Sequence, residues 1–171
     1  MTARTVFYNT LRFFLLIFFQ VLILNYINLG GYLNPYLYIY FILLLPFNTP
    51  RWFLLVSAFA IGITIDFFTN TIGLNASACV VIAFARPFVI SAISSDPESL
   101  IGETPALRNQ GLKWFLYYAI ILVLVHHFVL FYLEIFRFQE FFTTFIRALF
   151  SSTFTLLLIL ISEYTVFYRI K

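Results

Sequence analysis

Long apolar runs fill almost the whole of this sequence, and short clusters of Gly, Pro and charged residues separate them. Most of the runs approach the roughly 20 residues that a helix needs to cross the apolar core of a bilayer. Of the 171 residues, 63% are hydrophobic and 10% are charged, and the mean hydropathy is +0.98. A soluble domain is about half apolar and about a quarter charged. The chain is therefore predicted to be an integral membrane protein.

The runs predict an all-α membrane protein, a bundle of six transmembrane helices in one membrane domain that covers residues 1–171. The second span is short, and Pro46 and Pro50 end it because proline cannot continue a helix. Pro87 lies inside the fourth span and predicts a kink. The first run follows basic residues, but no small-residue cleavage site follows it, so we interpret it as a retained helix. The predicted spans are about 11–27, 32–45, 52–68, 73–93, 114–136 and 145–167.

Basic residues predict the orientation, because cytoplasmic flanks retain Lys and Arg. If the N-terminus is inside, seven basic residues flank the spans on the cytoplasmic side, whereas only Arg137 flanks them on the outer side. Arg86 and Arg147 lie within spans and are not counted. The asymmetry predicts that both termini are cytoplasmic, and it explains the net positive charge without a nucleic-acid partner. The seven are Arg4, Arg12, Arg51, Arg108, Lys113, Arg169 and Lys171.

Ionisable side chains within the third and fourth spans are candidate functional residues, because each costs roughly 2.5 to 3.5 kcal/mol on insertion scales and normally faces the bundle interior. Ala58, Gly62 and Asp66 recur every four residues, which predicts a small-residue stripe that allows close helix approach and ends in a carboxylate. Asn75 and Arg86 are eleven residues apart, so they share one face of the fourth helix, about 16 Å apart along its axis.

The last two spans carry a second group of polar residues. His126 and His127 are adjacent, and Glu134 follows on the face of His127. In the predicted topology, Asp66, Glu134 and Arg147 all lie in the outer half of the bilayer. Arg147 is therefore predicted to pair with one or both of these carboxylates.

The polar residues leave three interpretations open: they hold the helices in register, they form a polar ligand site or proton route, or they contact another membrane protein. For the two histidines, a metal site is disfavoured because ligands on one helix usually lie three or four residues apart, and no further His is present. No metal or cofactor is predicted. Gln20 and Asn25 fall on different helix faces, so they are not expected to form one site.

The sequence contains no nucleophile elbow, phosphate loop or metalloprotease motif, and no serine precedes a constellation that could activate it. The protein is therefore predicted not to be an enzyme. The single cysteine, Cys79, excludes an internal disulfide.

Five short motifs are spread over nearly the whole chain: the run 62–66 with Asp66, the turn before Gly73-Leu74-Asn75-Ala76, the Ala85-Arg86-Pro87 run, the Pro-flanked turn 46–51, and Val125-His126-His127. Together they resemble the bacterial rod shape-determining MreD family. The resemblance implies a non-enzymatic scaffold in the bacterial cytoplasmic membrane, within the cell-wall elongation machinery. The implied partners are MreC, the actin-like MreB, and RodA with a class B penicillin-binding protein synthase.

The six-helix plan of that family also resembles the substrate-binding S-components of energy-coupling-factor vitamin transporters. A transporter subunit therefore stays open as the alternative function. An S-component docks its energising partner through small residues spaced by four, whereas the first span, 11–27, contains no Gly or Ala and four Phe. This difference favours the scaffold.

Overall fold

The computed structural model describes residues 3–27, 34–96, 100, 102–135 and 141–167. These residues form helices and connections and contain no strand. Within these described residues, five helices are long and apolar enough to cross a membrane, so the chain is a multi-pass membrane protein. They are α1 (Ala3–Leu22), α3 (Arg51–Thr69), α4 (Leu74–Ile93), α6 (Leu112–Ile135) and α7 (Phe141–Ser162), and two short helices, α2 (Ile39–Leu43) and α5 (Leu107–Gln110), lie between them.

The five long helices correspond to five of the six predicted spans, closely for α3, α4 and α6, whereas the ends of α1 and α7 differ by four to eight residues. Helix α1 begins before residue 11 and includes the polar residues Asn9 and Thr10. The Thr10 hydroxyl is accommodated in the helix because it donates to the Val6 carbonyl. It ends at Leu22, and a 3₁₀ turn, Leu24–Tyr26, follows. Helix α4 continues through Pro87. The end of the fifth predicted span, residue 136, lies outside the described residues.

The second predicted span, 32–45, is wrong as a membrane-length helix: within its described part, residues 34–45, only α2 is α-helical. Residues 34–45 are called the buried segment below. All nine residues from Leu37 to Leu45 have an exposed fraction of 5% or less. An apolar run enclosed on every side has the same pattern as a buried helix, so hydropathy alone does not distinguish them.

The buried segment lies inside an arc of long helices. Along this arc α1 packs on α3, α3 on α4, α4 on α6 and α6 on α7, while α2 contacts α1, α3, α4 and α6. The backbone N–H of Asn34 donates to Ser151, whereas the Tyr40 hydroxyl donates to Glu163, twelve residues or about 18 Å further along α7 and its extension. The segment therefore extends from the middle of α7 to its far end.

Side chains satisfy the backbone of the buried segment where it is not helical. Irregular backbone at membrane depth is tolerated only when it is enclosed by protein or lines a water-filled cavity. Gln20 accepts from the Leu37 N–H at 2.8 Å and donates to the Pro35 carbonyl at 2.9 Å. Thr155 accepts from the Tyr36 N–H at 3.1 Å. Residues 34–45 thus lie inside the bundle without forming a membrane-length helix.

Close contact between α3 and α4 fixes the end of the bundle that carries Asp66. This end is called the outer end below, after the predicted orientation, and the opposite end is called the inner end. A Cβ built on Gly62 would lie 2.5 Å from the Cα of Ala76 and 2.8 Å from the Asn75 carbonyl oxygen. The predicted stripe is buried at Ala58, Gly62 and Asp66. Helix α3 ends at Asn70, which adopts the left-handed conformation with φ 55°, and Gly73 with φ 74° precedes α4. This turn brings Asp66 to the first turn of α4.

Candidate functional site

Asp66 accepts four hydrogen bonds at the N-terminus of α4. Its Oδ1 accepts from the Thr71 hydroxyl at 2.5 Å, and from the backbone N–H and side-chain amide of Asn75 at 3.0 Å each. Its Oδ2 accepts from the backbone N–H of Ala76 at 2.9 Å. The first N–H groups of a helix have no partner within the helix, and a negative charge there is favourable. Asp66 therefore acts as a helix cap supplied from the preceding helix.

A chain of hydrogen bonds leads from this cap to the buried segment and α6. The Tyr38 hydroxyl donates to the Asn75 Oδ1 at 2.7 Å and lies 3.0 Å from the His126 Nε2. Because the one proton of Tyr38 is directed to Asn75, the His126 Nε2 must donate to Tyr38. His126 is then neutral with its proton on Nε2, and its Nδ1 is a buried acceptor without a hydrogen-bond partner among the described residues.

His127 has the other tautomer. Its Nδ1 lies 2.8 Å from the Val123 carbonyl, which can only accept, so Nδ1 carries the proton. Its Nε2 then accepts from the Thr155 hydroxyl at 3.1 Å, and Thr155 accepts from the Tyr36 N–H. The two adjacent histidines thus join different networks, one toward α4 and one toward α7. They do not converge on one ligand.

Arg86 is buried, with a 2% exposed fraction, and it binds the inner end of the buried segment. Its Nη2 donates to the Leu45 carbonyl, and its Nε donates to the Tyr118 hydroxyl at 2.7 Å. Tyr118 in turn donates to the Leu43 carbonyl at 2.9 Å. Leu43 is the last residue of α2 and Leu45 lies two residues beyond it, so Arg86 binds just past the C-terminal end of α2, where the helix dipole favours a cation. No carboxylate of the described residues pairs with Arg86.

Arg147 pairs with Glu134, and the Nη1 to Oε2 distance is 3.2 Å. Its guanidinium carbon lies 4.4 Å from the ring centroid of Phe131, a cation–π contact. Of the two carboxylates predicted as partners of Arg147, Glu134 is the one that pairs with it, and Asp66 does not. The Thr71 hydroxyl and the α4 N-terminus occupy the carboxylate of Asp66, so it has no need of a cation.

The structure does not bring the seven candidate residues into one cluster. Asp66, Asn75 and His126 belong to one hydrogen-bonded chain, while His127, Arg86 and the Glu134–Arg147 pair each have separate contacts. No group of three or more His, Cys, Asp or Glu that could hold a metal ion occurs in the described part of the chain.

Several polar contacts were missed or misread from sequence. Glu163 is buried and accepts from the Tyr40 hydroxyl at 2.7 Å and from the Leu107 N–H at 3.0 Å, where it joins the end of α7 to the start of α5. Gln20 donates to Asn25 at 3.0 Å, contrary to expectation, because the helix ends between them and the 3₁₀ turn redirects the chain. A carboxylate close to the end of an apolar run was the available signal for Glu163.

Comparison of the chain with protein families, with curated proteins and with solved structures finds no match.

Proposed function

We propose that this protein is a non-enzymatic scaffold of the cytoplasmic membrane that acts in the cell-wall elongation machinery, as its resemblance to MreD implies. In this proposal it binds MreC and helps to position RodA and its penicillin-binding synthase partner relative to MreB. The observation that carries the proposal is the filled interior of the bundle. The space inside the arc of helices, where a small polar ligand would bind, holds the protein's own residues 34–45, and nine of them are almost completely buried.

The polar residues of the interior support the same function. Five polar side chains hydrogen-bond to the buried segment: Gln20, Arg86, Tyr118, Ser151 and Thr155. In a transporter subunit we would expect such side chains to be available to a substrate. Side chains that hydrogen-bond to another part of the same chain favour a single conformation of the bundle, and a scaffold needs that rigidity. The filled interior therefore disfavours the alternative, a vitamin-binding S-component.

The orientation is part of the proposal. We propose six crossings of the membrane, which bring both chain ends to the same side, and the excess of basic flanking residues favours the cytoplasm for that side. Reporter fusions after Asn70 and at Lys171 test it: the first should be external and the second cytoplasmic. A cytoplasmic signal at Asn70 would contradict the proposed orientation.

The partner surface is proposed at the outer end of α3. Ile72 is 99% exposed and Phe67 is 80% exposed, and the turn that presents Ile72 is held by Asp66 and Thr71. A rigid apolar projection at the membrane surface suits a partner whose single span continues into an external segment. Helices in lipid associate through close packing and a few polar contacts, because lipid tails are as apolar as the side chains.

The test is retention of MreC during purification in mild detergent, with both proteins overexpressed. Wild type should retain MreC, and Ile72→Ala together with Phe67→Ala should retain several-fold less. Phe84→Ala, at an exposed aromatic residue on α4, is the matched control and should behave as wild type. Failure of the wild-type protein to retain MreC would contradict the scaffold function. A vitamin or a pair of ATPases in the purified sample would make the transporter subunit the better proposal.

A further inference from the structure

The buried segment binds both ends of the bundle through two tyrosines that are two residues apart. The Tyr38 hydroxyl donates at 2.7 Å to Asn75, in the first turn of α4 at the outer end. The Tyr40 hydroxyl donates at 2.7 Å to Glu163, directly after α7 at the inner end. Both tyrosines are at most 3% exposed. A single turn of the chain is therefore hydrogen-bonded to opposite ends of the bundle.

The connection between α4 and α6 depends on the same turn. Residues 102–111, which contain α5, are called the inner loop below. Glu163 accepts from Tyr40 and also accepts from the Leu107 N–H at 3.0 Å. Phe47, two residues beyond the buried segment, donates its N–H to the Glu103 carbonyl at 3.0 Å. The inner loop is thus held at two points, and both are linked to the position of the buried segment.

The two tyrosines cannot move independently of one another. The Tyr40 N–H donates to the Leu37 carbonyl and the Phe41 N–H to the Tyr38 carbonyl, so residues 37–41 form one hydrogen-bonded turn. Ile39, between the tyrosines, is 0% exposed. A turn enclosed in a close-packed interior has discrete arrangements and does not deform continuously. A displacement that breaks the bond to Asn75 therefore also strains the bond to Glu163, and an unpaired buried hydroxyl is costly.

We infer that the buried segment is a conformational device that couples the outer turn, residues 70–73, to the inner loop. While the segment is docked, both tyrosines are bound and both ends are ordered; when it is displaced, both ends loosen. Coupling between two sites is reciprocal, so a contact that stabilises the outer turn, where Ile72 is exposed, also stabilises the inner loop on the opposite side of the membrane. This inference does not depend on the proposed scaffold function.

Amide hydrogen exchange of the purified full-length protein in detergent, read by mass spectrometry of its peptides, tests the coupling. The N–H groups of Asn75 and Ala76 report the outer end, and that of Leu107 reports the inner loop. Tyr38→Phe should accelerate exchange in the inner loop by at least about fivefold, and Tyr40→Phe should do the same at the outer end. If each variant accelerates exchange only at its own end, the coupling is overturned.

Tyr132→Phe is the matched control, because its hydroxyl donates to the Phe141 carbonyl and not to the buried segment; both ends should exchange as in wild type. Residues 119–125, in the middle of α6, report unfolding of the whole bundle and should exchange equally slowly in every variant. Equal acceleration there would show that the bundle opens as one unit, which overturns the device. Thr71→Val loosens the outer turn without touching the buried segment, so it replaces Tyr38→Phe if that variant does not fold. It too should accelerate exchange in the inner loop, and an unchanged inner loop would overturn the coupling.

Discussion

Asp66 and Arg86 are both buried charges that bind helix ends, but the chain supplies their partners in different ways. The partners of Asp66 lie between residues 71 and 76, within ten positions of it. The partners of Arg86 are Leu45, 41 positions before it, and Tyr118, 32 positions after it. The outer end of the bundle is thus held by local contacts and the inner end by distant ones. The contacts of Asp66 are called the outer cap below, and those of Arg86 the inner cap. We expect formation of the outer cap to require only the turn between α3 and α4, and formation of the inner cap to require packing of the whole arc of helices.

Neither charge needs an opposite charge, because aligned peptide groups take its place. Asp66 meets two N–H groups in the first turn of α4, and Arg86 meets one carbonyl, that of Leu45, two residues beyond the end of α2. Each arrangement complements the helix dipole at that end. A fully buried charge of this kind therefore marks a helix end, and each variant below alters one such end.

The largest effect is expected for Asp66→Asn. The amide keeps one acceptor oxygen, but its NH₂ group would face an N–H donor of α4, and the charge at the helix N-terminus is lost. Hydrogen bonds to charged groups contribute about 1.5 to 3 kcal/mol each, so the free energy of unfolding should fall by about 3 kcal/mol or more. Denaturation of the purified protein in detergent measures the change. Glu103→Gln is the exposed control, expected within about 0.5 kcal/mol of wild type.

The next largest effect is expected for Gly62→Ala, which separates α3 from α4 and weakens the outer cap without changing a polar group. The added Cβ would meet the backbone of Ala76 at 2.5 Å, and backbone cannot rotate away as a side chain does. Overpacking of this kind costs about 1 to 3 kcal/mol. Ser91→Thr adds a methyl group on an exposed face of α4 and should be nearly neutral. Equal stability of Gly62→Ala and wild type would contradict the close contact.

At the inner end, Arg86→Met should cost about 1 to 2 kcal/mol. The Leu45 carbonyl loses its donor, which is unfavourable, but a buried cation is also removed, which offsets part of the loss. Tyr118→Phe should cost a similar amount. Because the two side chains act on the same helix end, the double variant should lose clearly less than the sum of the single losses. Additive losses would show that the inner cap is not one unit.

The smallest effect on stability is expected for Ile72→Ser. Ile72 extends from the turn that Asp66 holds, but it contributes little to packing because it is 99% exposed. The free energy of unfolding of the Ile72→Ser variant should therefore stay within about 0.5 kcal/mol of that of wild type. The same denaturation measurement checks this. A loss near that of Asp66→Asn would mean that the turn itself, and not the carboxylate, stabilises the outer end.

The local arrangements were predictable from sequence and the distant ones were not. Spacing alone placed Ala58, Gly62 and Asp66 on one buried face, and Asn75 and Arg86 on another, because helix periodicity relates residues within a few turns. The pairing of Arg147 required a choice between Asp66 and Glu134, and periodicity does not include the turn that gives Asp66 its own donors. The partners of Arg86 lie on other elements, and no pattern within one helix indicates them.

The second predicted span failed for a related reason. Hydropathy measures whether a run avoids water, and residues 34–45 avoid it as completely as any helix. What distinguishes them is where their backbone hydrogen bonds go, and these reach Gln20, Ser151, Thr155 and Tyr118. Glu163 and the Gln20–Asn25 contact were missed because each depends on a helix end that periodicity does not locate.

The distant partners of the buried segment have a consequence for how this protein is made. The residues that accept its N–H groups on α7, Ser151 and Thr155, follow it by 117 and 119 positions. Until α7 has been synthesised, the N–H groups of Asn34 and Tyr36 lack these acceptors, and an unpaired peptide group inside lipid costs several kcal/mol. We therefore expect the buried segment to take its final place only after α7 has been inserted, so a chain shortened before residue 141 should fail to close its bundle.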